Sequence, residues 1–199
     1  MLKIVTILFD NFETLDVFGP IEVLGRFPSE LDPGFYSMHG GVITSAHKVQ
    51  VMTEPFPVNL EEEYVLLIPG GIGTRELVKQ QKYIKSLAAL AKKAKFILTV
   101  CTGPTLFSKT GMLDGRRATS NKRAFKWALQ ESPKVNWIKK ARWVNDGNIY
   151  TSSGVSAGID MAFGFVSDLL GHDIAMKEST AIEYDWKDDP RWDPFAELY

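Results

Sequence analysis

The sequence predicts an α/β domain on a mostly parallel sheet, from three observations: short, continuously apolar runs, amphipathic stretches between them, and turn residues at the joins. The apolar runs are Lys3 to Phe9 (KIVTILF), Val65 to Ile68 (VLLI) and Phe96 to Val100 (FILTV). They have strand length, as expected of parallel strands buried on both faces. Each leads through a turn into residues with apolar positions three and four apart, the spacing of helices packed on a sheet. Leu15 to Leu24, Gln80 to Ala94, Lys122 to Glu131 and Gly158 to Leu170 are the predicted helices. Arg142 to Val144 and Ile149 to Ser152 flank Asn145-Asp146-Gly147-Asn148, which reads as a hairpin with Asp-Gly supplying the positive-φ turn. His39 and His47 flank a second presumed hairpin, and His172 is expected to end a late helix. The tail, DWKDDPRWDPFAELY, reads as an ordered extended arm or as a frayed terminus that a partner covers.

Composition bounds the function. A chain of 199 residues with mixed charge is expected to form one domain, 1–199, around one substantial core. The net charge of −1 and the absence of a basic stripe argue against nucleic acid as a partner. No segment approaches the roughly 20 apolar residues of a membrane span, and the N-terminal apolar run is interrupted by Asp10, too early for a secretion signal. The single cysteine allows no intramolecular disulfide and no multi-cysteine zinc site, so a cytoplasmic location is expected.

In an open parallel sheet, ligands bind beyond the carboxyl ends of the strands. Three loops lie there: DNFETLDVFGPIEVL, PGGIGTREL and CTGPTLFSKTG. Cys101 falls at a strand end with Thr102 and Gly103 opening the next helix, the arrangement of a nucleophile elbow. A lone cysteine is usually a small buried hydrophobe. Here the Thr-Gly-Pro that follows it and the Pro69-Gly70-Gly71 turn together describe an oxyanion hole, with backbone N–H groups of Gly71 and Thr102 converging near the sulfur. The helix N-terminus predicts a thiolate, with a pKa below the ordinary value of about 8.5. Pro104 suits the first turn of that helix. Two carboxylates of the first loop, Glu13 and Asp16, could reach the sulfur, and the residues alone leave both open; capping is the competing role for Asp16. Late in the chain, Ser152, Ser153 and Gly154 form a loop that could line the site, Ser156 reads as a helix N-cap, and Asp160 braces that loop or touches a ligand.

VCTGPTLFSKTGMLDGRRAT resembles the nucleophile segment of the ThiJ/PfpI superfamily, a class I glutamine amidotransferase-like group, in its isonitrile hydratase-like branch. LDVFGPIEVL, VLLIPGGIGTREL and IYTSSGVSAGIDMAF extend the resemblance in the same order over nearly the whole chain. It implies a flavodoxin-like three-layer sandwich, a homodimer, a thiolate nucleophile at Cys101 and a nearby carboxylate, with no metal or organic cofactor. It selects Asp16 as the acid/base, in the block where the deglycase and glyoxalase branches carry glutamate, and leaves Glu13 to solvent or capping. The chain departs from members that carry a histidine after GRRAT: the segment reads TSNKRAF, with Asn121 in that region. Asn121, with Gly70, Gly71 and Thr102, is expected to contact substrate or to tie down the elbow. The implied reaction takes a small-molecule isonitrile and water to an N-substituted formamide. The alternatives are a glyoxalase or deglycase acting on 2-oxoaldehydes through a hemithioacetal, and a non-catalytic redox sensor or chaperone with an oxidisable cysteine. A transcription regulator is disfavoured, because the chain leaves no room for a helix-turn-helix module.

Overall fold

In a computed structural model, which describes residues 1–57 and 63–199, the first apolar run becomes β1 (Leu2–Ile7), fully buried from Ile4 onward. It leads into α1 (Thr14–Leu24). Then come β2 (Leu31–Ser37), β3 (Gly41–Thr44) and β4 (Gln50–Pro55). β2 contains Pro33 and Gly34 and so carries no strand signature in sequence. β3 and β4 pair antiparallel, and His47 lies in their connection rather than beyond the hairpin. β5 (Tyr64–Ile68), the short α2 (Thr74–Leu77), α3 (Gln81–Lys93), β6 (Phe96–Thr99) and α4 (Gly103–Ser108) follow.

The predicted helix over 122–131 is two pieces: a 3₁₀ turn (Lys122–Ala124), capped by the Asn121 side chain, and α5 (Phe125–Glu131). A small parallel ladder of β7 (Arg117–Ala118) and β8 (Asn136–Trp137) brackets them. β9 (Trp143–Asp146) and β10 (Ile149–Ser152) form the expected hairpin. α6 (Ala157–Leu170) and α7 (His172–Ala181) are separated by Gly171 at φ +114°, so His172 opens a helix instead of ending one.

The main sheet runs β3-β4-β2-β1-β5-β6-β10-β9, with the five inner ladders parallel and the two outermost antiparallel. Alternate strand residues feed two cores. Val5, Ile7, Leu66 and Ile68 pack with Leu87 of α3 and Phe107 of α4, whereas Ile4, Val65 and Leu67 pack with Val23 of α1 and Met161 of α6. The result is the flavodoxin-like three-layer sandwich. From β1 the chain winds outward to β2, then crosses back to place β5 on the other side of β1. Loops after β1 and β5 therefore diverge, opening a crevice at the carboxyl ends. The C-terminal arm is ordered on its own chain: Trp186 is buried against Phe163 and donates from its indole to the Asp160 carbonyl at 3.1 Å. No helix among the described residues is long and apolar enough to cross a membrane.

Candidate active site

Cys101 takes φ +60°, the left-handed region, which costs a residue with a side chain about 1–3 kcal/mol. Its neighbours enforce that conformation. The Cys101 N–H donates to Ser153 O at 3.1 Å, and its carbonyl accepts from the Asn121 N–H at 3.0 Å and the Ser120 hydroxyl at 2.8 Å. Gly103 is required for close approach, since a Cβ there would lie 2.5 Å from Ile68 O at the end of β5. The elbow thus presents the sulfur at the crevice where the β1, β5 and β6 loops meet.

Three donors surround that sulfur. The Asn121 side-chain amide donates from 3.2 Å, and the backbone N–H groups of Val155 and Thr102 also point to it. Burial, followed by the charge of Asp16, pushes the thiol pKa up, while these three donors pull it down. The sequence expectation of a thiolate favoured by the helix N-terminus is therefore reversed in direction. α4 is only six residues long, and the desolvation of a nearly enclosed sulfur outweighs what its first turn supplies.

Asp16 is fully buried in the first turn of α1. Its Oδ2 accepts from the Gly70 N–H at 2.9 Å, and among the described residues Oδ1 has no hydrogen-bond partner. Burial holds this carboxyl well above the ordinary carboxylate range; the Gly70 N–H opposes that, and the Glu13 charge adds to it. Among the described residues, no cation acts on it. Capping does not account for Asp16, because the N-cap of α1 is Glu13, whose side chain makes no capping bond. Thiol and carboxyl act on each other's proton affinity, so they titrate as a pair.

Of the residues singled out in sequence, Cys101, Asp16, Gly70, Thr102 and Asn121 come together. Gly71 is placed differently. Its N–H donates to Thr102 Oγ1 at 3.0 Å rather than toward the sulfur. Its φ of +125° and the 2.5 Å approach of Asn11 O and Glu13 N to any Cβ make glycine necessary there. Ser156 sits at the N-cap of α6 without capping it and accepts from Arg142 at 3.2 Å. Asp160 braces: it receives Arg142, Tyr184 and the Lys187 N–H. His47 stays exposed, but its Nδ1 lies 3.4 Å from Glu13 Oε1 and 3.0 Å from Thr14 Oγ1.

Val155 was not visible in the sequence as a site residue. It acts through its backbone N–H, which any residue type could supply; the only local signal is the glycine before it, where a Cβ would meet the Asn121 amide nitrogen at 2.6 Å. The sulfur opens into a cleft of about 370 Å³ that Glu13, Ile72, Arg75, Asn121 and Arg123 help to line. A larger cavity, of about 540 Å³, lies beside β9 and contains none of these groups. Among the described residues no group of three or more His, Cys, Asp or Glu side chains could hold a metal ion.

A three-layer sandwich with a strained cysteine elbow at its crevice defines the class of the protein, and comparison with known families agrees: residues 2–168 match the DJ-1/PfpI family, to which this chain belongs. Members of the family include enzymes. The chain is 30% identical to isonitrile hydratase from Pseudomonas putida over 185 residues, 92% of this chain and 78% of that enzyme. It is 27% identical to the deglycase PfpI of Pyrococcus furiosus over 121 residues, 60% of this chain and 72% of that protein. In fold it is similar to the crystal structure of a ThiJ/PfpI family protein from Pseudomonas syringae, with a TM-score of 0.77 at 24% identity over 92% of this chain and 75% of that one.

Proposed function

We propose that the protein is a cysteine-dependent hydratase that converts a small isonitrile and water to an N-substituted formamide. The observation that carries this reading is the pairing of Cys101, on a strained elbow, with Asp16, a carboxyl whose pKa burial pushes up and on which, among the described residues, no cation acts. The similarity to isonitrile hydratase supports it.

The Cys101 thiol adds to the terminal isonitrile carbon: the C–S bond forms, Asp16 delivers its proton to that carbon, and the thiol proton passes to the nitrogen, giving an N-protonated S-linked thioformimidate. Ionised Asp16 then takes a proton from water as the oxygen adds to the same carbon. The C–S bond breaks as the hydroxyl proton passes to the sulfur, the nitrogen keeps its proton, and the formamide leaves with the thiol restored. Atoms balance with no change of oxidation state. Asn121, Val155 and Thr102 stabilise the sulfur when it carries charge. We propose further that the protein works as a homodimer, since Trp192, Phe195, Leu198 and Tyr199 of the arm remain exposed; light scattering at the monomer mass at all concentrations would contradict this.

The deciding experiment offers isonitriles and methylglyoxal to the wild-type protein and to Cys101→Ala. Formamide formation that requires Cys101 is the expected result. Lactate instead would select the 2-oxoaldehyde chemistry, and absence of turnover with reversible thiol oxidation would select a redox sensor.

A further inference from the structure

Two arginines line the cleft above Cys101 and take no part in the chemistry described so far: Arg75 of α2 and Arg123 of the 3₁₀ turn. Arg75 stacks on Trp127, its guanidinium carbon 3.7 Å from the ring centroid, and the stack fixes a side chain that would otherwise be mobile. The carboxylate that acts on it, Glu131, is already engaged by Lys109 at 2.7 Å and by the Trp127 indole at 3.2 Å. Arg123 is exposed on the turn that follows Asn121. Among the described residues, neither arginine lies within ion-pair distance of a carboxylate. The remaining charged group lining the cleft, Glu13, has His47 beside it. Burial pushes the Asp16 carboxyl pKa up, which disfavours a negative charge there.

Among the described residues, the cleft therefore offers two guanidinium groups in no ion pair with a carboxylate around a buried nucleophile. A guanidinium presents a planar fork of donors that fits a carboxylate in two hydrogen bonds, and such a group, already held in place by an aromatic face, loses little freedom when it binds. We propose that Arg75 and Arg123 are specificity residues that select electrophiles carrying a carboxylate. On the hydratase reading, on which the identity of the electrophilic carbon rests, the substrate is an isocyano acid rather than a neutral isonitrile.

Because Cys101 is the only cysteine, its alkylation by iodoacetate and by iodoacetamide reads the charge preference without any turnover. The ratio of the two rate constants cancels changes in the thiol itself. The expected ratio in the wild-type protein is about tenfold above that of free cysteine, and it falls by about tenfold in the double variant Arg75→Gln/Arg123→Gln. It should also fall in the wild type as salt is raised from about 0.05 to 0.5 M, a readout that needs no variant to fold. A ratio equal to that of free cysteine, one indifferent to salt, one unchanged in the double variant, or no reaction with either reagent would overturn the proposal. Failure to form formamide with an intact ratio would instead remove the hydratase reading and leave the carboxylate preference standing.

Discussion

Asp16 and Asp160 occupy equivalent places on two helices that pack together: each is in a first turn, of α1 and α6 respectively, and each has no exposed surface. Their surroundings differ completely. Asp160 takes the Arg142 guanidinium on Oδ2 at 2.6 Å, and Tyr184 and the Lys187 N–H on Oδ1 at 3.0 and 3.1 Å. Asp16 takes one backbone donor and leaves an oxygen empty. Burial pushes both pKa values up; at Asp160 Arg142, the Lys187 N–H and Tyr184 pull the other way, whereas at Asp16 only the Gly70 and Cys101 contacts do. A buried carboxylate with a cation and a full set of donors holds structure together. One with a single backbone donor and a thiol beside it is free to give up and regain a proton.

The largest effects should fall on turnover at the first of these sites. Cys101→Ala is expected to abolish formamide formation. Asp16→Asn, which keeps an acceptor for the Gly70 N–H, is expected to lower kcat by about 10² or more, the usual contribution of a general acid or base being about 10² to 10⁴. The same substitution should not destabilise the fold. A carboxyl whose folded pKa is raised contributes stability that is complete below its unfolded pKa of about 3.9 and is lost as pH climbs through the folded value. Asn carries no such loss. Thermal unfolding at pH 7 should therefore show Asp16→Asn at least as stable as the wild type, with the advantage vanishing as pH is lowered toward about 4. A variant with near wild-type kcat would remove Asp16 from the mechanism.

At the second site the same chemical change should act in reverse. Asp160→Asn leaves Arg142, itself buried, without its counter-charge. Breaking a buried pair from one side typically costs about 3–5 kcal/mol, which for a chain of this size lowers Tm by roughly 10 °C. Turnover per folded molecule should be retained. Denaturant unfolding at pH 7 alongside kcat checks both halves. An Asp160→Asn protein that unfolds with the wild type would show that the arm and α6 are held by packing alone, through contacts such as Trp186 on Phe163.

Only part of this contrast was legible in the sequence. β1, β5 and β6 announce themselves because strands covered on both faces must be continuously apolar, and the glycines at 70, 71 and 103 mark turns that no other residue could make. Cys101 follows from those landmarks; they leave Glu13 and Asp16 both open, and the family resemblance selects Asp16. β2 did not show itself, since its Pro33 and Gly34 are tolerated by tertiary pairing with β1 and β4 and break every local strand rule. Lys122 read as one position in a helix, yet it is buried and paired at 3.1 Å with Asp193 of the arm. That contact spans a long stretch of chain, and periodicity carries no information about it. The sign of the thiol shift failed for the same reason: the helix N-terminus is a local feature, and burial is a property of the whole fold.

A smaller effect separates the donors at the sulfur from the acid beside it. Asn121→Ala removes one hydrogen bond to Cys101 and the cap of the 3₁₀ turn. A hydrogen bond to a charged group is worth about 1.5–3 kcal/mol, so iodoacetamide alkylation at fixed pH should slow by about tenfold or more. The thiol titration should move upward, and the Asp16-dependent part of the pH profile should move with it, since the two titrate as a pair. Alkylation at the wild-type rate would assign Asn121 to the turn alone.

The smallest expected effect tests what raises the Asp16 pKa. Desolvation is the main cause, and it would survive any change on the surface; the Glu13 charge is the lesser contributor. Glu13 is partly exposed and lies 3.4 Å from His47 Nδ1, and interactions of such charges are worth about 0–1 kcal/mol. Glu13→Gln should therefore change kcat by no more than about fivefold. What it should move is direction: with the neighbouring charge gone, Asp16 ionises at lower pH, and the alkaline limb of the kcat profile shifts the same way, since the general acid is lost sooner. Raised salt should reproduce part of that shift in the wild type and none of it in Glu13→Gln. If Glu13→Gln instead costs as much as Asp16→Asn, the proton comes from Glu13, and the contrast between Asp16 and Asp160 would be one between two structural carboxyls.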